Sequence, residues 1–169
     1  MNKLRLILGD QLNINHSWFK ENNSNTTYVM MEVKEETSYV LHHAQKIIAT
    51  FAAMRFFAEQ LQQKGFEVIY FKINDKENKQ GFIQNINKIF KERNMSELQY
   101  QEPDEYRLST ELKKLESIKN IKVESVDTEH FLVPMFYAKD FFSEKKHWRL
   151  EEFYRNMRKK FSILMEEDK

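Results

Sequence analysis

Hydrophobic residues along this chain switch repeatedly between two periods. Leu4–Leu8 is a short apolar run that ends at Gly9-Asp10, which predicts a buried strand stopping at a turn. Residues 10–26 are rich in Asn and Ser and predict a loop, with a helical turn around His16–Phe19. "TYVMMEV", 27–33, is nearly all apolar and β-prone, as a strand covered on both faces should be. In 37–65, Val40, Ala44, Ile47, Ile48, Phe51, Met54, Ala58 and Leu61 recur at helical spacing. Thr37 or Ser38 would cap that helix at its start, and Gly65 stands where a glycine just past a helix end belongs.

"FEVIYFKI", 66–73, predicts a third strand, and Phe82, Ile83, Ile86, Ile89 and Phe90 mark a second helix. A fourth strand over 97–103, a helix over about 105–117 and a fifth strand over 121–126 complete the series. Strands separated by helices predict the α/β class: a three-layer α/β/α fold around a five-stranded parallel, Rossmann-like sheet. Ligands of such sheets sit beyond the carboxyl ends of the strands, where the strand order reverses. The first strand is the candidate for that point, which places Gly9 and Asp10 at the ligand edge.

The character changes near residue 130. The reading therefore divides the chain into an α/β domain, 1–130, and an aromatic, basic segment, 131–169. Residues 139–160 hold eight Lys/Arg against four Asp/Glu. Arg149–Phe161 predicts a helix with Leu150, Phe153, Tyr154, Met157 and Phe161 on one stripe, a face that needs something to pack against.

Composition narrows the chemistry. The 169 residues carry net charge +1, so gross charge does not mark a nucleic-acid binder. There is no Cys, which removes disulfides and thiolate-held metals. The amino terminus lacks a small-residue cleavage site, and no run approaches the roughly 20 apolar residues of a membrane span. The expectation is a soluble, cytoplasmic protein without a membrane partner.

Two readings fit each candidate residue. Gly9-Asp10 can face a ligand, or Asp10 can simply cap a neighbouring helix. The classical dinucleotide fingerprint is absent. Glu35 and Glu36 can serve the positive end of the long helix. A carboxylate there can equally accept N–H bonds from a heterocycle, with Tyr39 covering its face. His42 and His43 are adjacent, so they do not form the i, i+4 pair of a helical metal site. No nucleophile elbow is visible, and the Met and Phe residues of 51–57 read as core.

Four stretches carry a family resemblance: "LRLILGDQLN" at the start, "EVKEETSYVLHHAQKIIATFAAMRFFAEQLQQKGFEV", "EPDEYRL" at 102–108 and "FYRNMRKKFSILM" at 153–165. In order, they resemble the bacterial photolyase-related proteins, the iron–sulfur branch of the cryptochrome/photolyase family that includes prokaryotic (6-4) photolyases. The resemblance implies the N-terminal antenna domain plus the start of the interdomain linker of a protein about three times longer. FAD, a [4Fe–4S] cluster and most of the DNA-lesion pocket would then belong to a C-terminal domain outside this chain. The implied cofactor of this domain is the antenna chromophore 6,7-dimethyl-8-ribityllumazine, with a flavin as the alternative. Its implied contacts are Leu8, Gly9 and Asp10, then Met31 and Glu32, then Glu36 and Tyr39; Met31 stands where relatives can carry a smaller residue. "EYRL" at 105–108 and "YRNMR" at 154–158 would meet the C-terminal domain or damaged DNA. No catalytic residue is expected in this chain, and its own affinity for DNA should be weak. The competing expectation is a stand-alone nucleotide- or flavin-binding module with a signalling role.

Overall fold

In the computed structural model, which describes residues 2–117, 121–144 and 147–165, all five expected strands form. They are β1 (Lys3–Leu6), β2 (Thr26–Met31), β3 (Glu67–Phe71), β4 (Glu97–Gln101) and β5 (Lys122–Val126). They pair in the order β3-β2-β1-β4-β5, every pair parallel. The chain steps outward from β1 to β2 and β3, then returns to the other side of β1 for β4 and β5. The reversal therefore falls between β1 and β4, where two crossovers diverge and leave a crevice. Helices cover both faces, giving the three-layer α/β/α arrangement.

Period-two alternation decides what each strand residue touches. Leu4, Leu6, Leu8, Val29, Met31, Val33, Leu98 and Tyr100 face one layer, built by Phe82, Ile86 and Ile89 of α3 (Phe82–Arg93) and Leu108 and Leu112 of α4 (Tyr106–Lys113). Ile7, Tyr28 and Met30 face the other, built by Met54, Phe57, Ala58 and Leu61 of α2 (Ala44–Gln63) with Trp18 and Phe66. The expected turn near His16–Phe19 is a single 3-10 turn, Ser17–Phe19, which brings Trp18 into this second layer.

The expected helix over 37–65 is two helices. A short α1 (Lys34–Ser38) ends at Tyr39, and α2 begins only at Ala44. Thr37 and Ser38 do not cap a start. They close the end of α1, each hydroxyl donating to the Lys34 carbonyl, a side-chain bond that competes with helix continuation. The cap of α2 is His43, whose Nδ1 accepts from the Gln45 amide at 3.2 Å. The far end follows the sequence: Gly65 is left-handed (φ +85°), and the Gly65 and Phe66 amides donate to the Gln62 and Leu61 carbonyls, a double closure that glycine permits.

The chain divides into two compact units, Met1–Thr128 and Glu129–Lys169. In the second, α5 (Met135–Phe142), which the apolar pattern did not suggest, and α6 (Leu150–Phe161) share an aromatic cluster. Phe153 lies 5.3 Å from Phe141, 5.8 Å from Phe142 and 6.2 Å from Tyr137, ring centre to ring centre. Of the α6 stripe, Met157 is buried, whereas Leu150 and Tyr154 remain exposed. Lys145 and Lys146 of the basic run lie outside the described residues.

Candidate functional site

The turn after β1 is built from its own residues. The Gln11 amide donates to the Leu8 carbonyl at 3.1 Å, closing Leu8-Gly9-Asp10-Gln11 into a β-turn. The Gln11 side chain accepts from the Leu8 amide and donates to the Gln101 carbonyl, both at 3.1 Å, which ties the turn to the end of β4. Gly9 lets α2 come close: a Cβ there would stand 3.1 Å from both Met54 Sδ and Thr50 Cγ2, so those side chains would have to shift.

Beside this turn a cleft of about 270 Å³ opens at the carboxyl edge of the sheet. Its walls are apolar: Leu8, Met31, Val33, Ile47, Phe51, Met54, Phe82 and Leu108. Its polar groups are Asp10, Glu36, Thr37, Tyr39, His42, Lys46, Thr50 and Glu105. The break between α1 and α2 is what carries Tyr39 and His42 to the cleft, and Ile47, Thr50, Phe51 and Met54 line it from the first half of α2.

Six residues singled out from sequence, Leu8, Gly9, Asp10, Met31, Glu36 and Tyr39, come together on this cleft. Glu32 does not join them. It follows Met31 on the strand path, so its side chain points to the opposite face. There it is fully buried, taking 2.6 and 2.9 Å bonds from Arg55 Nε and Nη2, 2.8 Å from the Tyr70 hydroxyl and 2.8 Å from the Ile73 amide. Burial alone would raise its carboxyl. The bonds from Arg55, Ile73 and Tyr70 outweigh that and hold it below the usual carboxylate range. Burial and the Glu32 carboxylate push the Tyr70 phenol up. Both Glu32 oxygens are committed, so it is an anchor of the β2 tip.

Glu36 keeps one open side. Arg107 Nη2 donates to its Oε1 at 2.9 Å and to Oε2 at 3.1 Å. The same guanidinium lies 4.1 Å from the centre of the Tyr39 ring, within cation–π range, and bonds Glu105 at 2.9 and 3.1 Å. Behind it, burial and the neighbouring Glu35 carboxyl raise the Glu111 carboxyl. Arg107 belongs to the "EYRL" stretch, 105–108. Within this domain it is half-buried against Glu36 and Glu105, Leu108 is buried, and Tyr106 is the most exposed of the four at 87%. No spacing signal pointed to Arg107, since 71 residues separate it from Glu36.

Among the described residues there is no cluster of three or more His, Asp or Glu suited to a metal ion, and no helix is long and apolar enough to cross a membrane.

The fold is thus a parallel three-layer α/β domain with an apolar, carboxylate-rimmed cleft at its switch point. The family model for deoxyribodipyrimidine photo-lyase-related proteins matches residues 5–169, and the chain belongs to that family. It is 34% identical over 166 residues to a (6-4) photolyase of Agrobacterium fabrum. That alignment covers 98% of this chain and 33% of the relative, so the chain spans about a third of that protein's length.

Proposed function

We propose that this chain is the antenna domain of a photolyase-like flavoprotein and that its cleft holds a neutral, planar chromophore, with 6,7-dimethyl-8-ribityllumazine the best match. The observation that carries this reading is the open side of Glu36 at the mouth of an otherwise apolar cleft. A carboxylate there accepts from an imide N–H. Tyr39 and the apolar wall sandwich a flat ring, and Asp10 takes ribityl hydroxyls. The size suits a bicyclic ring with a short polyol rather than a dinucleotide. When bound, the lumazine supplies blue-light absorption and passes excitation to a flavin. The protein's part is to orient the ring and keep water from its faces.

FAD, the [4Fe–4S] cluster and lesion contacts belong, on this reading, to a C-terminal domain that also serves as partner. The 169 residues alone hold no catalytic group and bind damaged DNA weakly or not at all. Spectral titration tests the cleft. Addition of the lumazine should shift its band and quench on saturation, whereas no binding of lumazine or flavins at high micromolar ligand would end the assignment.

A second reading has one observation in its favour. Lys46 lies on the cleft in the first turn of α2, where a phosphate would be well received. Tighter binding of riboflavin 5′-phosphate than of lumazine would favour a flavin-binding signalling module.

A further inference from the structure

Arg107 does not line the cleft, yet it contacts three residues that do, Glu36, Tyr39 and Glu105. It joins Glu36 within α1 and Tyr39 in the break that follows. It also bonds Glu105 before α4 and approaches Glu111 within α4 at 3.9 Å. We propose that Arg107 is the positioning residue of this site: from behind, it fixes the Glu36 carboxylate and the Tyr39 ring so that the cleft selects planar ligands that present an N–H to Glu36. This rests on the chromophore reading above.

The geometry supports selection as well as support. Nη2 spans both Glu36 oxygens at 2.9 and 3.1 Å, and so occupies the side between them. Each carboxylate oxygen has two acceptor positions, so one on each remains for a donor from the cleft. An ionised carboxylate offers acceptor positions and no donor. A ligand that places a methyl group there leaves that acceptor facing carbon, and sites built to bond a polar group reject analogues lacking it. The cation also stacks at 4.1 Å from the Tyr39 ring centre, so one planar group sets two contact surfaces at once. A lysine in its place could neutralise Glu36 but could neither fork nor stack.

The test is titration of the full chain with 6,7-dimethyl-8-ribityllumazine and with its 3-N-methyl derivative, in wild type, Arg107→Met and Arg107→Lys, with circular dichroism checking the fold of each. Wild type should prefer the N–H ligand by about tenfold or more, the discrimination of a site that hydrogen-bonds its substrate. Both variants should weaken the N–H ligand and bring that preference close to unity. Arg107→Lys keeps the charge and reports the same quantity should Arg107→Met fail to fold. A merely structural Arg107 would lower both ligands' affinities together and leave the preference intact. If wild type binds lumazine and either folded variant retains the wild-type preference, the Arg107 assignment is overturned and the chromophore reading stands. If wild type binds neither ligand, the chromophore reading fails and takes this one with it.

Discussion

Glu32 and Glu36 sit four residues apart, one at the tip of β2 and one in α1, and they mark two regions with opposite character. Around Glu32 everything is closed: zero exposure, both oxygens bonded, and partners drawn from α2, from β3 and from the turn after it. Around Glu36 one partner holds the carboxylate from behind and the front faces a cleft. Carboxylate identity is the same in both, so chemistry is decided by how many acceptor positions the fold has already used. A saturated carboxylate, buried itself though its Arg55 partner reaches the surface, stabilises the geometry around it; a half-used one at a rim is available for recognition.

The comparison can be broken first at Arg55. Arg55→Met leaves the buried Glu32 carboxylate without its cation; because the Arg55 side chain is itself 44% exposed, the cost is at most about 3 kcal/mol, the low end for a buried pair. For a chain of this length that lowers Tm by several degrees, up to roughly 6–12 °C, in a thermal scan. A drop of a degree or two would mean that Glu32 is not the anchor described here.

Next in size is Glu36→Gln. Its partner is surface-accessible, so stability should change by less than about 1 kcal/mol. Lumazine affinity should fall by about 1.5–3 kcal/mol, the worth of a hydrogen bond to a charged group. Loss of stability without loss of binding would reverse the roles assigned to the two glutamates.

The smallest effect sharpens the contrast through pH. The folded Glu32 carboxyl lies below its ordinary value of 4.5, so between the two values the unfolded chain binds the extra proton. Its contribution is complete above the unfolded value and is lost as pH falls from about 4.5 through the lower folded value. Denaturant melts from pH 6 to pH 3 should show this loss in wild type, and Arg55→Met should flatten it.

The strands were the most legible part of the sequence, because runs such as "TYVMMEV" have no polar face to misplace. Gly65 likewise announced its helix end, since few residues accept a left-handed backbone. The break at 39–43 was hidden: Val40 and Ala44 continue the helical spacing by coincidence, while the hydroxyls of Thr37 and Ser38 close α1 through local bonds that periodicity does not register. Of the site, the Gly9-Asp10 turn and Glu36 were readable because one follows β1 and the other follows β2 at the same sheet edge. The fate of Glu32 was within reach, as strict alternation puts it opposite Met31. Arg107 was not, because its meaning depends on two crossovers bringing α4 beside α1.

The interruption between α1 and α2 divides labour along what would otherwise be one rod. Met54, Phe57, Ala58 and Leu61 hold the lower part of α2 to the sheet, while the five residues 39–43 hang between two independently closed helix ends. On the chromophore reading proposed above, exchanging that short bridge should change which ring the rim admits while the packed layer beneath it stays as the fixed mount.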